Sequence, residues 1–451
     1  EVSISVTVDG TSLTQTIFVT GIGPIVNCNS SNALNLAVGQ VMTPMAGQQA
    51  CVSGGTAGAE FAVVPFNSNT VYSSIASMNF TSTGANAPQG PPSLAPVAAA
   101  GTALAPAGPD RSVFAPLSGF DARLRATERR DLRKLISGAR AWHSGSSNTS
   151  ALRPSFASIP NPLAVNDKVS LNTNPITSCS DPQMRGGRVA AITNRAIVIA
   201  DTLNPPNGYT DAEYQSIGVT FDTLVYDLDV QNFGTPSDID GNGRIAMFFT
   251  SSVNAITPQG SQSIVGGFFF ARDLFPKTST PQFDACATSN TGEMFYLIVP
   301  DPTGLVNSNV RTKAVVSRIV ISTTAHEFQH LINASRRMYV NTTAQDFEEV
   351  WLNEGLSHVA EELLYYRESS GLTPRQNIDG NLARSTQKNI DAFNNDQSAN
   401  FGRYRTYLPR TATSSPYAPD DSLYTRGATW SFLRYAADHR GASDGDVWTK
   451  L

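Results

Sequence analysis

Two of the five histidines in this 451-residue chain stand four apart around a glutamate, in "HEFQH" at residues 326–330. On an α-helix, residues i and i+4 share a face. His326 and His330 would therefore turn their imidazoles toward one point, at a spacing one zinc ion can bridge. Glu327, one residue round from His326, would reach a water held there without being a ligand. Zinc in an open three-ligand site lowers the pKa of bound water from about 15.7 to about 7, and a neighbouring carboxylate takes the proton as the water attacks a polarised carbonyl. Glu354, 24 residues after His330 in "EEVWLNEGLSHVAEELLYYR", offers the third ligand.

The bare pentapeptide also fits an incidental surface helix, so the elements that carry it matter. In "TKAVVSRIVISTTAHEFQHLINASRR" Val316, Ile319, Val320, Thr323, Thr324 and Phe328 recur at helical steps with no Gly or Pro between them, which predicts a helix. Val350, Leu352, Leu356, Val359 and Leu363 predict a second helix, locked against the first by Trp351 and Leu352. Two helices joined by a loop can close a tetrahedron around a metal.

"HEFQH" followed by "WLNEG" is similar to the gluzincin metallopeptidases, the group holding thermolysin-like and aminopeptidase-N-type enzymes. The longer strings "AHEFQHLIN", "WLNEGLSHVAEEL", "FGTPSDIDGNGRIAMFF" and "GGFFFARDLFP" resemble the hyicolysin family of secreted bacterial zinc metallopeptidases, over about residues 165–440. The resemblance implies a zincin-like α+β catalytic domain acting on protein or peptide. It implies one zinc held by His326, His330 and Glu354, with Glu327 as general base. Where thermolysin-like enzymes carry an aspartate four residues after the glutamate ligand, this chain has His358. His358 would orient a ligand, face substrate or compete for metal, and Glu361 could supply the orienting carboxylate instead.

Peptide hydrolysis builds charge on the carbonyl oxygen, which a hydrogen-bond donor stabilises. "YTRG" at 424–427 resembles the Tyr-x-Lys-Gly of aminopeptidase-N-type enzymes, which makes Tyr424 the candidate donor, unless it merely packs at a helix start. Tyr339 is the fallback; His439 lies too far along the same predicted helix to act with Tyr424. Those aminopeptidases hold the substrate amine with a glutamate where "GEMFY" has Phe295, and Glu293 is out of strand register for the task. An endopeptidase binding extended peptide along the edge of this strand is expected. The alternatives are a zinc aminopeptidase and a surface binding or adhesion protein with an inactive peptidase domain.

Asp238, Asp240 and Asn242 alternate in "SDIDGNGR" like the first half of an EF-hand loop, but Phe249 stands where that loop has its bidentate glutamate. Structural calcium and a turn built on Asx chemistry both fit.

Charged residues make up 15% of the chain and the net charge is −5. Such a balance gives no field to hold nucleic acid or an anionic membrane. No apolar run reaches the roughly 18 residues of a membrane span. Together with a start at Glu1, these features predict a secreted monomer whose signal peptide has been removed. Cys28, Cys51, Cys179 and Cys286 allow three pairings; 28–51 and 179–286 keep each bridge within a domain, the rival being buried free thiols.

The predicted organisation is a small all-β sandwich over 1–82, a Pro/Ala/Gly-rich linker over 83–117, an amphipathic helix and connector over 118–143, and the catalytic domain over 163–451. The helix rests on Leu124, Leu132, Leu135, Ile136 and Ala139, with a basic outer face. The first 160 residues would be either an accessory region or a propeptide, and His143 a solvent-facing side chain.

Overall fold

The computed structural model describes five strands within residues 1–82, a helix at 120–136, and residues 162–449 apart from 262–263, 342–343, 345, 377, 412–413, 417–421 and 441–442. The predicted linker, His143, Cys28 and the side chain of Cys51 lie outside the described residues. The chain divides into two units, Glu1–Ala105 and Pro106–Leu451.

In the first unit β1 (Val2–Val8) and β2 (Thr11–Thr20) form an antiparallel hairpin. Strand β5 (Ala76–Ser82) pairs antiparallel with β1 on its other side. The short β3 (Ala33–Leu34) and β4 (Ala50–Ser53) extend the sheet beyond β2, in the order β3-β4-β2-β1-β5. Among the described residues this is one sheet.

The second unit is mixed α and β. Strands β6 (Lys168–Asn172), β7 (Met184–Ile192), β8 (Ala196–Asp201), β9 (Ile245–Phe249), β10 (Gly267–Phe268) and β11 (Met294–Leu297) make a six-stranded sheet. Its order is β10-β11-β9-β8-β7-β6. β8, β9 and β11 run parallel, and β10 lies antiparallel at the edge. One expectation is corrected here. The "GEMFY" strand, β11, has neighbours on both sides, so the sheet edge on that side belongs to β10. Residues 188–201 form a hairpin, in which Asp222 accepts the N–H groups of Asn194 and Arg195 and fixes a turn between β7 and β8.

Side chains alternate across the sheet. Phe295 meets Phe221 on the helix-covered face. Its neighbour Tyr296 points the other way, donating to Asp273 at 2.6 Å in a buried network with Arg272 and Asn290. The helix face is built by α2 (Asp211–Thr220), α3 (Tyr226–Phe233) and the long α5 (Lys313–Ser335), with the short α4 (Ser251–Ile256) following β9. Thr312 caps α5 by accepting from Val315 N–H. Val316, Val320, Phe328 and Leu331 of α5 are buried, and Phe328 packs on Phe221 and Tyr226.

After α5 come α6 (Val350–Glu368), α7 (Gln387–Ala392), α8 (Ser398–Tyr407), α9 (Leu423–His439) and α10 (Gly445–Trp448). Trp351 and Leu352 are only half-buried. Leu352 packs against the core that α5 shares, and the link to α5 is also polar: Asn353, Ser357 and Glu361 of α6 bond to His330, Gln329 and His326. Apolar Leu356, Val359 and Leu363 of α6 are buried as well, so the helix is covered nearly all round.

Helix α1 (Phe120–Thr127) continues through one π-helical turn, Glu128–Leu132, to residue 136. It belongs to the second unit, with Phe120, Leu124, Leu132 and Ile136 in the core. Its face is not basic and solvated throughout, as the periodicity predicts. Arg125 and Glu128 are buried, because the helix lies against Phe268 at the β10 edge. Cys179 and Cys286 form the expected disulfide, tying the β6–β7 loop to the segment before β11.

Candidate metal centre

The unbroken α5 places His326 and His330 one turn apart, and α6 sets Glu354 opposite them. The Nε2 atoms of the two histidines are 3.2 Å apart, and each is 3.7 Å from a carboxylate oxygen of Glu354. Their outer nitrogens are held from α6: Glu361 lies 2.8 Å from His326 Nδ1, and Asn353 Oδ1 lies 2.9 Å from His330 Nδ1. Partners on the far nitrogen fix which nitrogen faces the metal. The side chain of His330 is sealed, whereas His326 keeps 14% of its surface exposed. The centre is therefore reached from the His326 side.

Glu327 does not join this triad. Its carboxylate accepts the N–H of Phe269, just past the edge strand, at 2.8 Å. Burial pushes Glu327 up to about 7, against the pull of His326 and Arg125. Two glycines permit this closeness. A Cβ on Gly267 would come 2.7 Å from Tyr296 O and 3.2 Å from Glu327 Cγ, and one on Gly266 would come 2.7 Å from Thr323 Oγ1.

Burial also opposes ionisation of Glu354, but Arg426, at 2.8 Å, and His330 outweigh it, and the carboxyl stays well below its usual range. Arg125 approaches the other oxygen at 3.3 Å. Burial and Arg125 depress His330 well below the ordinary imidazole value. At His326 burial acts the same way, yet Glu354 and Glu361 overcome it and raise the ring to about 10. Three converging donors thus surround one position for positive charge. Two imidazole nitrogens and a carboxylate oxygen, all within 4.8 Å of one another, are the donor set zinc takes.

His358 shares this neighbourhood. Its ring is 4.9 Å from that of His326, and its Nδ1 faces both Glu361 and Arg403. Burial and Arg403 lower it to about 3, so it stays neutral. His326, His358 and Glu361 also form a possible metal group, but its shared member, His326, already directs Nδ1 to Glu361.

The candidate oxyanion donors hold contacts of their own. The ring of Tyr424 lies beneath Arg410, and from the same "YTRG" the structure brings Arg426 to Glu354. Gly427 lets α9 approach α8, since a Cβ there would come 2.4 Å from Tyr404 N. Tyr339 donates to Leu274 O and packs on Phe283. His439, at the end of α9, bonds to Tyr435 O. Arg125, Arg426, Arg403 and Asn353 were not legible as site residues. Only Asn353, beside Glu354 in "WLNEG", had a positional hint.

No family model matches the chain. A stretch of 157 residues, 35% of the chain, is 31% identical to the neutral metalloprotease ShpI of Staphylococcus hyicus. It covers 32% of that protein, so the chain spans about a third of the length of the curated relative it matches. The similarity supports a metalloprotease family.

Proposed function

We propose that the chain is a secreted zinc endopeptidase of the hyicolysin type, with His326, His330 and Glu354 as ligands and Glu327 as general base. The convergence of those three donors, with Glu327 one residue away and facing the edge strand, carries the reading. The metalloprotease similarity supports it.

Zinc held there would supply Lewis acidity and an acidified water. The chain's own groups do the rest. Glu327, raised to about 7 by burial, is matched to accepting a proton near neutral pH and returning it to the leaving amine. Glu361 and Asn353 orient the two imidazoles, while Arg426 keeps Glu354 anionic. Strand β10 offers backbone groups to an extended substrate, a mode that needs no anchor for a free amine. Glu293, the displaced candidate for such an anchor, is engaged by Ser237 and Ile239 instead.

The test is bound zinc together with casein hydrolysis, in the wild type and in Glu327→Ala. About one zinc per chain in both proteins with cleavage only by the wild type is expected. A wild type without zinc overturns the metal assignment, and zinc without cleavage favours the binding-protein reading.

A further inference from the structure

We infer that the loop at 237–243 and Glu293 form a second cation site, of the calcium class, closed by a residue from a different part of the chain. The loop joins α3 to β9 and lacks the acidic twelfth residue of an EF-hand. Glu293, immediately before β11, supplies the missing carboxylate in space: ligand atoms of Asp238, Asp240 and Glu293 all lie within 4.8 Å of one another. A coordination sphere of roughly 2.3–2.6 Å radius spans such a spacing.

Glu293 is the independent observation. It is 1% exposed, and its Oε1 is fixed by Ser237 Oγ at 2.7 Å and Ile239 N–H at 2.9 Å. Its Oε2 is buried and has no hydrogen-bond partner among the described residues. A buried carboxylate oxygen is costly unless something satisfies it. Asp238 accepts the Gly243 N–H, Asp240 accepts the Asn242 N–H and amide, and the two carboxyl groups face each other. Gly241 and Gly243 take φ of +71° and +66°, which curls the loop around this point. Oxygen-only donors without an octahedral arrangement suit calcium better than the smaller magnesium. Ser237 N–H also bonds to Ser335 Oγ, on the last residue of α5. A bound ion would brace the helix that carries both histidines.

Zinc-loaded full-length chain, freed of calcium, is titrated with calcium and then magnesium while its unfolding midpoint and calcium content are measured. We expect about one calcium per chain and a midpoint raised by about 5 °C, with little response to magnesium. Glu293→Gln and Asp240→Asn should keep their zinc and lose the calcium response. A wild type that binds no calcium, or a Glu293→Gln chain that responds like the wild type, overturns the site.

Helix α1 carries an independent inference, which rests on the peptidase reading: we propose that it shields the substrate edge. Glu128 accepts the N–H of Ala271 at 2.9 Å, and Arg125 reaches Phe269 O at 3.5 Å. Two residues apart, these are the donor and acceptor that a substrate strand pairing beyond β10 would use. Arg125 and Glu128 are paired at 2.7 Å, and Arg125 also touches Glu354. Phe120 covers Phe268.

The shield is tested by binding, separately from turnover. On a zinc-loaded Glu327→Ala background, Phe120→Ala with Glu128→Ala should bind a labelled casein peptide about tenfold more tightly, with zinc content unchanged. Equal or weaker binding, or loss of zinc, overturns the shield and makes α1 a support for Glu354. Turnover by the wild type, absent from Glu327→Ala, tests the peptidase reading on its own.

Discussion

Glu361 Oε1 lies 2.8 Å from His326 Nδ1, and Glu361 stands seven residues after Glu354 on the same helix. One face of α6 therefore supplies both a candidate ligand and the group that orients another. Replacing Glu361 by Gln removes the charge and keeps the shape. Zinc affinity should fall about 10–100-fold while the circular dichroism spectrum stays unchanged. Competition against a chromophoric chelator measures it, and unaltered affinity would remove Glu361 from the centre.

Gly355, next to Glu354, is where α6 and α9 touch. A Cβ there would come 2.4 Å from Thr429 Cγ2 and 2.8 Å from Leu433 Cδ1. Gly355→Ala should cost about 1–3 kcal/mol by overpacking. It should also weaken zinc binding, because Arg426 on α9 moves with the helix. Adding Thr429→Ala should restore part of both losses; additive effects in chemical denaturation would contradict the contact.

Glu362, the residue after Glu361, is buried beside Arg434. Burial raises its carboxyl to about 8, against the attraction of Arg434. A raised folded-state value means the stability it contributes is complete below the unfolded value of about 4.5 and is lost as pH climbs through about 8. Glu362→Gln cannot ionise. Its unfolding midpoint should match the wild type near pH 4 and exceed it increasingly toward pH 8. A gap that narrows with pH would refute the assignment.

The disulfide spans a sequence separation of 107 residues. Cys179→Ser with Cys286→Ser should lower stability by about 2–5 kcal/mol, read by urea unfolding. A stability unchanged from the wild type would mean the bridge constrains nothing that unfolding releases.

Much of the centre was legible because its signals are local. Unbroken periodicity predicts α5 and α6, i and i+4 spacing pairs His326 with His330, and Glu361 follows Glu354 by two turns. What stayed hidden depends on partners distant in the chain. Arg125 sits in "FDARLRATERRDLRKL", whose charges look solvated until β10 covers them. Strand β10 is two residues long, and the order of strands around β11 is a property of the assembled sheet. In "YTRG" the approach of Arg426 to Glu354 and of Gly427 to α8 depends on packing that the motif does not encode.

The pairing of α1 with the edge strand has a consequence for inhibitor design. Arg125 and Glu128, three apart on a helix, present to Phe269 and Ala271 the acceptor-seeking and donor-seeking groups of an extended backbone. Side chains on a helix thus imitate a strand, and they do so without a scissile bond lying along the site. On the peptidase reading, a stapled peptide covering residues 120–132 is a template for a competitive blocker with no bond placed for cleavage at that position.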